Sequence, residues 1–389
     1  MSKVITRFFK GANQSYFLFG PRGTGKSTWL RQQYPGAVYI DLLDPDVLRE
    51  YLAYPERLKM RVEGAEHPTI IIDEIQKAPA LLSVVHALIE QKRGWQFILT
   101  GSSARKLKRS GVDLLAGRAL LKALHPFMAA ELGDAFNLKR ALQYGLIPLL
   151  VDSAEIEQSL AAYIALYVQE EVKAEGLVRN MGDFLRFLEV ISFSHGATVN
   201  MSNIARECAV SRKLIEGYLG VLQDLLISYH LPVFSVRAKR ATVTHEKFYF
   251  FDVGVYRALR HQGYLDSTNE IDGAGLEGLV LQHLRAWNDY QDAPCKLYYW
   301  RTPHGVEVDF IVYGKETFYA IEVKAAKTVY SQDVKHLHAF LEEYPEATPI
   351  LLYQGQERLK IGSVWCLPVE AFLKGLVPGR DFLDKNQSQ

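Results

Sequence analysis

The first third of the chain alternates between short apolar runs and stretches with helical spacing. Five runs rich in β-branched and aromatic residues predict strands, namely Tyr16–Phe19, Val38–Leu42, Thr69–Asp73, Gln96–Thr100 and Ala119–Leu124. Strands that alternate with helices in this way build a parallel sheet covered by crossover helices. The pattern therefore predicts an α/β fold for this region.

The pattern changes twice further along the chain. From His125 to about His230 it is predominantly helical, for example at Ala154–Glu175 and Asp183–Ser194. Strand-like runs return between Leu231 and Asp252, and a last α/β segment extends from about Gly275 to Val377. A chain of 389 residues with these changes of period suits two or three domains better than one.

Composition and charge exclude several classes of protein. Hydrophobic residues make up 48% and charged residues 23%, and the net charge of +1 marks no overall affinity for nucleic acid or membranes. Cys208, Cys295 and Cys366 lie far apart, which argues against a disulfide framework or a zinc site. The segment Met1–Lys10 lacks the apolar run of a signal peptide, and the chain has no long apolar span. We therefore expect a soluble cytoplasmic protein with no membrane partner.

A glycine-rich segment joins the first predicted strand to the helical run Thr28–Gln33. It comprises Gly20-Pro21-Arg22-Gly23-Thr24-Gly25-Lys26-Ser27. Glycines let backbone N–H groups wrap phosphates at a helix N-terminus, where the helix dipole also favours anions. Lys26 is predicted to reach the β- and γ-phosphates and the Ser27 hydroxyl to ligate Mg²⁺, with Thr28 beside them. The segment predicts ATP and Mg²⁺ as cofactors.

A second element of the same chemistry follows the apolar run Ile70–Ile72. Asp73 ends this run and is predicted to hold the Mg²⁺ shell, while Glu74 is predicted to polarise the attacking water. The alternative is a carboxylate pair that begins the next helix. The following strand ends near Thr100 and Ser102, and either side chain is a candidate sensor of the γ-phosphate.

Arg118 lies directly before the fifth predicted strand, in the setting Leu114-Leu115-Ala116-Gly117-Arg118. Taken alone, an arginine at this place is either a solvated surface residue or a phosphate contact. Residues 15–125 together resemble an AAA-type ATPase core, and the resemblance implies that Arg118 is the finger that reaches a neighbouring subunit's nucleotide. The turn His125-Pro126-Phe127 with Glu131 resembles the start of the helical lid of that family. No second sensor arginine stands out in the lid.

A helix, a brief turn and a second helix are predicted in the middle of the chain. Val199–Glu207 forms the first helix, and Ser211 is placed to cap a second that runs through Leu226. Two strands follow, at Ser228–Phe234 and Lys247–Asp252. Positive residues lie at the start of the second helix and between the strands, namely Arg212, Lys213, Arg237, Lys239 and Arg240. This layout is that of a winged helix with a DNA-contacting wing, and the alternative is a module that spaces the domains.

Two predicted strands near the carboxyl end carry a set of charged residues. The segments are Val306–Ile311 and Tyr319–Lys324, joined through Tyr313-Gly314-Lys315. Asp309 lies on the first strand, and Glu322 and Lys324 share one face of the second. Carboxylates and a lysine that converge in this way bind Mg²⁺ and position a water for phosphodiester attack. Glu277, in a predicted helix, is a candidate for a further metal ligand.

These residues resemble the PD-(D/E)XK nuclease core, with Asp309 as the aspartate and Glu322-Val323-Lys324 as the E-x-K. The wider chain, including Phe250-Phe251-Asp252-Val253-Gly254 and Trp300-Arg301-Thr302, resembles a bacterial and archaeal family of AAA-type ATPases fused to an uncharacterised carboxyl-terminal domain. The resemblance implies an α/β P-loop NTPase sheet with a helical lid, a winged helix and a restriction-endonuclease-like domain. The expected boundaries are 1–124, 125–195, 196–252 and 253–389.

Two functions fit these observations. The first is a Mg²⁺-dependent ATPase, assembled as a homo-oligomer such as a ring, that couples hydrolysis to binding, remodelling or cleavage of DNA. The second is an ATP-driven regulatory switch whose carboxyl-terminal domain docks a protein partner without nuclease activity. Stimulation of ATP hydrolysis by DNA separates the two.

Overall fold

The chain forms two compact units. The computed structural model describes residues 5–101, 115–168, 172, 178, 180–235, 245–264 and 266–383. The first unit contains the described residues of 9–125 together with 221–227. The second contains those of 1–8, 126–220 and 228–389. The finer division into four domains remains a prediction.

The first unit is built on a parallel sheet of five strands. The strands are β1 (Tyr16–Phe19), β2 (Val38–Asp41), β3 (Thr69–Asp73), β4 (Gln96–Gly101) and β5 (Leu120–Ala123). The helices of eight, nine, seven and ten residues between them are α1 (Lys26–Gln33), α2 (Pro45–Ala53), α3 (Arg57–Glu63) and α4 (Leu81–Glu90). The strand order is β2-β3-β4-β1-β5 and every neighbouring pair is parallel. The predicted parallel sheet is confirmed.

Burial explains why these segments form strands. Every residue of β1 and β3 is buried, as expected for central strands of a sheet covered on both faces. Ile70 and Ile72 of β3 pack in one core with Leu99 of β4 and Phe17 of β1. β5 lies at the sheet edge, where Leu121 is exposed. The carboxyl ends of β1, β3 and β4 consequently share one edge of the sheet.

The second unit combines helices with two antiparallel or mixed sheets. Its helices are α5 (Ala129–Leu132), α6 (Leu138–Tyr144), α7 (Pro148–Val151), α8 (Ile156–Ala162), α9 (Met181–Ser192), α10 (Met201–Glu207), α11 (Arg212–Asp224, whose last residues belong to the first unit), α12 (Val253–Leu259), α13 (Thr268–Asp289), α14 (Lys335–Glu343) and α15 (Val369–Gly375). Its strands are β6 (Ala197–Thr198), β7 (Ser228–Leu231), β8 (Lys247–Phe250), β9 (Lys296–Arg301), β10 (Glu307–Tyr313), β11 (Phe318–Lys324), β12 (Thr348–Tyr353), β13 (Leu359–Ile361) and β14 (Val364–Pro368). Within the described residues, no helix is both long enough and apolar enough to cross a bilayer.

The smaller sheet of this unit has three strands in the order β6-β8-β7. The predicted strand Ser228–Phe234 ends as β7 at Leu231 because Pro232 has no N–H to donate to the sheet. The chain then pairs with β9 instead: Tyr299 donates its N–H to the Pro232 carbonyl and accepts from the Phe234 N–H. The segment after β7 thus ties the small sheet to the larger one.

The larger sheet has six strands in the order β13-β14-β12-β11-β10-β9. β10 and β11 are antiparallel, and β11 and β12 are parallel. The pairing of β10 with β9 shifts by one residue between Val308 and Ile311, so a β-bulge contains Asp309. Bulges commonly re-aim a side chain beside a functional site.

The long helix α13 packs closely against the segment before β6. A Cβ at Gly278 would lie 2.2 Å from the Nε2 of His195, so only glycine fits at this point. His283, one turn and a half later, accepts a hydrogen bond at Nε2 from the Ala129 N–H at 2.9 Å, while its Nδ1 lies 2.8 Å from the Leu279 carbonyl oxygen. These contacts fix the helix that carries Glu277.

Candidate functional site

The glycine-rich segment forms a loop between β1 and α1. Gly25 precedes α1 in the left-handed conformation with φ 88°, and Gly23 has φ 81°. These backbone angles favour glycine because other residues meet a steric penalty there. A Cβ at Gly20 would lie 2.4 Å from the Leu124 carbonyl oxygen, so this residue also needs to be glycine. The loop therefore has the backbone that an anion cradle at a helix N-terminus requires.

Lys26 lies buried over this loop. Its ammonium donates to the carbonyl oxygens of Gly20 at 2.6 Å and Pro21 at 3.2 Å. The Thr24 hydroxyl also donates to the Pro21 oxygen, at 2.8 Å. Of the predicted nucleotide-binding residues, Arg22 and Thr28 have exposed side chains. The structure thus brings Lys26 to the cradle and to carbonyl oxygens of its own loop.

Asp73 meets the first helix turn at the end of β3. The Ser27 hydroxyl donates to Asp73 Oδ2 at 2.7 Å, and the Thr100 hydroxyl donates to Oδ1. Asp73 is only 1% exposed. A hydroxyl and a carboxylate side by side beneath a phosphate loop are the ligand types that a magnesium ion bound to a nucleotide takes. The residues present therefore fit Mg²⁺ with ATP.

Glu74 follows in a strained conformation. Its φ of 61° and ψ of 47° place a non-glycine residue in the left-handed region. Its N–H donates to the Thr100 hydroxyl at 3.1 Å, and the Gln76 side-chain amide donates to its carboxylate. Strain of this kind is found where the surroundings hold a side chain for function. Thr100 therefore contacts both carboxylate residues, and the other sensor candidate, Ser102, lies outside the described residues.

Tyr39 is a member of this site that the sequence reasoning missed. Its hydroxyl, on β2, donates to the same Asp73 oxygen that accepts from Ser27. Burial and the hydrogen bond to Asp73 raise the pKa of Tyr39. Its position in the apolar run Val38–Leu42 favoured a core role and gave no signal of a polar contact.

Arg118 lies between a short turn and β5. It follows Leu115 and Gly117, which both have positive φ angles. The guanidinium, whose side chain is 37% exposed, forms an ion pair with Glu90 at the end of α4. This charge and its hydrogen bond lower the pKa of Glu90. Arg118 is therefore paired within its own chain in this conformation.

The predicted carboxylates of the second unit lie close together. The Asp309 carboxylate accepts a hydrogen bond from the Val323 N–H of the neighbouring strand at 2.8 Å. Lys324 donates to Glu322 Oε1 at 2.7 Å, as the shared strand face predicts. Burial, with the negative charges of Glu277 and Glu322, raises the pKa of Asp309 well above its usual range. The structure thus places Asp309, Glu322 and Lys324 on the paired strands β10 and β11.

Lys247, the first residue of β8, lies among these carboxylates. Its ammonium is 2.9 Å from Glu277 Oε1, 2.6 Å from Glu307 Oε1 and 3.6 Å from Asp309 Oδ1. The Tyr249 hydroxyl also donates to Glu277 Oε1, at 2.5 Å. Burial lowers the pKa of Lys247, but the surrounding negative charges outweigh it and leave the pKa well above its usual range. We call Lys247, Glu277, Glu307, Asp309 and Glu322 the carboxylate cluster.

The cluster differs from the metal site that the sequence suggested. Among the described residues, no group of three or more histidine, cysteine or acidic side chains is arranged to hold a metal ion. The expected ligands Glu277 and Asp309 instead face the Lys247 ammonium. Neither Lys247 nor Glu307 was among the residues predicted from the sequence, because a lysine at a strand start carries no local sign of a distant partner.

Two helices, α10 and α11, lie in the middle of the chain. α10 begins after Asn200, whose side chain accepts from the Asn203 N–H, and α11 follows a turn in which Ala209 has a φ of 55°. At the start of α11 the side chain of Arg212 is 64% exposed and pairs with Glu216. Lys213 is also exposed. The wing residues Arg237, Lys239 and Arg240 lie outside the described residues.

The parallel sheet, the glycine loop after β1 and the carboxylate at the end of β3 are the features of a P-loop NTPase domain. Residues 12–133 match the family described as AAA domain. Residues 272–372 match a domain of unknown function (DUF4143), and residues 135–266 match another (DUF8612). The chain therefore joins an AAA-type ATPase domain to a carboxyl-terminal DUF4143 domain.

Similar chains include two mycobacterial proteins and two solved structures. The chain is 27% identical over 366 residues to an uncharacterized protein of Mycobacterium bovis and to one of Mycobacterium tuberculosis, covering 92% of this chain and 80% of each relative. Among solved structures, the replication initiator DnaA bound to AMPPCP and single-stranded DNA aligns with a TM-score of 0.27 and 12% identity, over 54% of this chain and 82% of that one. A protein of Vibrio cholerae aligns with a TM-score of 0.21 and 12% identity, over 88% and 96%.

Proposed function

We propose that the protein hydrolyses ATP with Mg²⁺ in the cradle of its first unit and couples the hydrolysis to DNA binding. The observation that carries the first part is the meeting of Ser27, Asp73 and Thr100 beneath the loop that holds Lys26. Residues from three separate segments converge there, and each is of the type that phosphoryl transfer uses. The match to the AAA domain family supports the same activity.

Each residue of the cradle then has a defined role in ATP hydrolysis. Lys26 leaves its loop carbonyls and pairs with the β- and γ-phosphates, since a phosphate oxygen is a stronger acceptor than a neutral carbonyl. Ser27 and Asp73 hold the metal that accompanies the nucleotide. Glu74 orients and deprotonates the attacking water, and its strained backbone holds the carboxylate at the strand end. Thr100 links Asp73 to Glu74 and so couples the metal side of the site to the water side.

Turnover and binding measured separately test this assignment. The Glu74→Gln protein should bind ATP with near-normal affinity but hydrolyse it about 100-fold or more slowly, because a carboxamide is a poor general base. Lys26→Ala should instead weaken ATP binding itself. Glu50→Gln, an acidic residue on α2 outside the cradle, is the control. Wild-type turnover by Glu74→Gln removes Glu74 from the catalytic role.

The same proposal includes the assembly of several copies of this chain into a homo-oligomer. We place Arg118 at the nucleotide of a neighbouring copy, which requires it to exchange its partner Glu90 for the γ-phosphate. Mixing Arg118→Ala with Lys26→Ala protein should then restore part of the turnover that each lacks alone. Full activity of a strictly monomeric protein contradicts this arrangement.

DNA binding rests on the helix pair of the second unit. Arg212 and Lys213 present exposed positive charge at the start of α11, where a helix–turn–helix module contacts phosphates. Duplex DNA should therefore stimulate ATP hydrolysis, and Arg212→Glu with Lys213→Glu should weaken binding and flatten its salt dependence. Lys59→Glu with Arg61→Glu, on α3 of the first unit, is the charge-matched control.

A second candidate function is the regulatory switch. The contact of Lys247 with three carboxylates favours it, because a nuclease site needs these oxygens for a metal ion. In that case DNA of any form leaves ATP turnover unchanged, and the carboxyl-terminal domain serves as a docking module. DNA-stimulated turnover together with cleavage that Asp309→Ala abolishes argues against the switch.

A further inference from the structure

Arg285, near the end of α13, is a half-buried arginine that stacks on an aromatic ring. The central carbon of its guanidinium lies 4.0 Å from the centre of the Tyr229 ring on β7. No hydrogen bond or ion pair joins this guanidinium to another described residue. Burial lowers the pKa of Arg285, although the charges of Tyr229 and Asp289 oppose the shift. The guanidinium has therefore lost water without gaining an acceptor in close contact.

Two other arginines of the second unit have the same kind of ring contact. Arg7 and Arg260 lie over aromatic rings, at 4.8 Å and 3.7 Å from the ring centres. Each also forms an ion pair with a carboxylate, Glu131 at 3.1 Å and Asp266 at 2.8 Å. A ring takes the flat face of a guanidinium and leaves its N–H edge for an oxyanion. Among the described residues, Arg285 has the ring without the carboxylate, so its N–H edge is available to an anionic ligand.

Arg285 lines a pocket of about 290 Å³ between the end of α13, β7 and the start of β9. Lys296 adds a second positive charge to the lining, and Asp289 is its one carboxylate among the described residues. Leu297 and Tyr298 contribute an apolar and an aromatic surface. The charged side chains of the pocket therefore sum to a net positive charge beside a surface that suits an organic group.

The walls of the pocket are held in place by the fold. Asn288 donates from Nδ2 to the Cys295 carbonyl oxygen at 2.9 Å and accepts from the Cys295 N–H at 2.7 Å. These two bonds fix the turn that joins α13 to β9. Tyr229 is paired with Tyr249 inside the small sheet, so the backbone that carries the stacked ring is also fixed. A pocket that is already formed binds a ligand with little cost of ordering.

We propose that this pocket binds a small phosphate monoester, with the phosphate held by Arg285 and Lys296 and the organic group against Leu297 and Tyr298. The N–H fork of a guanidinium matches two phosphate oxygens, and two cations favour a dianion over a single carboxylate. The volume lies at the lower end of the range for ligand pockets, which suits one ring or one sugar beside the phosphate. The site belongs to the second unit and does not depend on ATP hydrolysis.

Calorimetric titration of the nucleotide-free full-length chain with phenyl phosphate tests the site. Arg285→Gln should weaken binding at least about tenfold, since it removes the charged hydrogen bonds to the phosphate. Lys296→Gln, at an exposed position, should weaken it about threefold. Asp289→Asn removes the opposing charge and should strengthen binding about threefold. Arg206→Gln, at an exposed arginine on α10, is the control and should bind like the wild type.

Two further ligands test the class of molecule that the pocket takes. Benzoate carries a carboxylate on the same ring and should bind at least about tenfold more weakly than phenyl phosphate, because it brings one negative charge and not two. Inorganic phosphate, which lacks the ring, should also bind more weakly. Benzoate that binds as tightly as phenyl phosphate overturns the preference for phosphate, and inorganic phosphate that does so overturns the monoester.

The location of binding is tested by the variants. Phenyl phosphate binding that Arg285→Gln leaves unchanged, or that Lys26→Ala abolishes in its place, overturns the proposal, because the ligand then lies elsewhere. If Arg285→Gln does not fold, Lys296→Gln and Asp289→Asn decide: opposite changes in affinity support the site, and no change in either overturns it. No nucleotide is present and no turnover is measured, so a failure of ATP hydrolysis or DNA binding leaves this result unaffected.

Discussion

In the first unit, Lys26 is held by two carbonyl oxygens of its own loop, whereas in the second unit Lys247 is held by three carboxylates. Both ammonium groups are buried, and both lie where the chemistry of the site calls for a cation. These hydrogen-bond and ion-pair partners differ in charge. Neutral carbonyls give up a lysine readily to a phosphate, while ionised partners hold it in place. The first arrangement suits exchange with a ligand and the second resists it.

The same substitution at both lysines gives the largest contrast. Lys247→Met should lower the free energy of unfolding by about 3–5 kcal/mol, because it leaves buried carboxylates without their cation. Lys26→Met should cost about 1.5–3 kcal/mol, the scale of a hydrogen bond made by a charged group, but should abolish the stabilisation that added ATP gives. Urea unfolding with and without ATP measures both quantities. Equal losses at the two sites contradict the distinction.

A smaller effect concerns the helix that presents Glu277 to the cluster. Burial lowers the pKa of His283 on this helix to about 4, although its bond to the Leu279 carbonyl opposes the shift. The folded pKa lies below the unfolded value of 6.5, so the unfolded state binds more protons and stability falls as the pH drops from 6.5 towards 4. His283→Gln removes this dependence but can still accept from the Ala129 N–H.

The difference in the free energy of unfolding between wild type and His283→Gln should therefore change by about 1.4 kcal/mol per pH unit between pH 6.5 and 4. The wild type becomes less stable relative to the variant as the pH falls. Denaturant unfolding at several pH values measures it. His338, an exposed histidine on α14, is the control position for the same substitution. A difference that does not vary with pH shows that His283 is not held neutral by its surroundings.

Much of this arrangement follows from the sequence, and the exceptions have physical causes. The parallel strands and the Asp309, Glu322 and Lys324 set are local patterns, since strand alternation alone decides which residues share a face. Lys247 could not be predicted, because its partners lie 30, 60 and 62 positions further along, as the numbers of Glu277, Glu307 and Asp309 show. Only the packing of the small sheet against α13 and β10 brings them together.

The irregular backbone conformations also could not be predicted from the sequence. The bulge at Asp309 and the left-handed Glu74 arise from how neighbouring strands and turns fit, and no residue type at these positions signals them. The contact of Tyr39 with Asp73 was also not predictable, since a tyrosine in an apolar strand is more often a core residue. The elements of the sites were thus predictable, and the contacts between distant elements were not.

The smallest expected effect concerns Tyr39. Its hydroxyl competes with the metal for Asp73, so Tyr39→Phe should strengthen Mg²⁺-ATP binding about three- to tenfold, the net range of an ordinary intramolecular hydrogen bond. Fluorescence titration with a labelled ATP analogue measures the change. Tyr51→Phe, a buried tyrosine on α2, is the matched control. Weaker binding by Tyr39→Phe makes the hydroxyl a supporting contact and not a competitor.

The central claim is that the first unit exchanges internal partners for a nucleotide and its metal, while the second keeps its own cation. Counting the Mn²⁺ ions bound to the wild-type chain, with and without a non-hydrolysable ATP analogue, tests it directly. We predict one tightly bound Mn²⁺ per chain that requires the analogue and is lost in Asp73→Asn, and none at the carboxylate cluster. A tightly bound Mn²⁺ without the analogue, or one that survives Asp73→Asn and disappears in Asp309→Asn, contradicts the account.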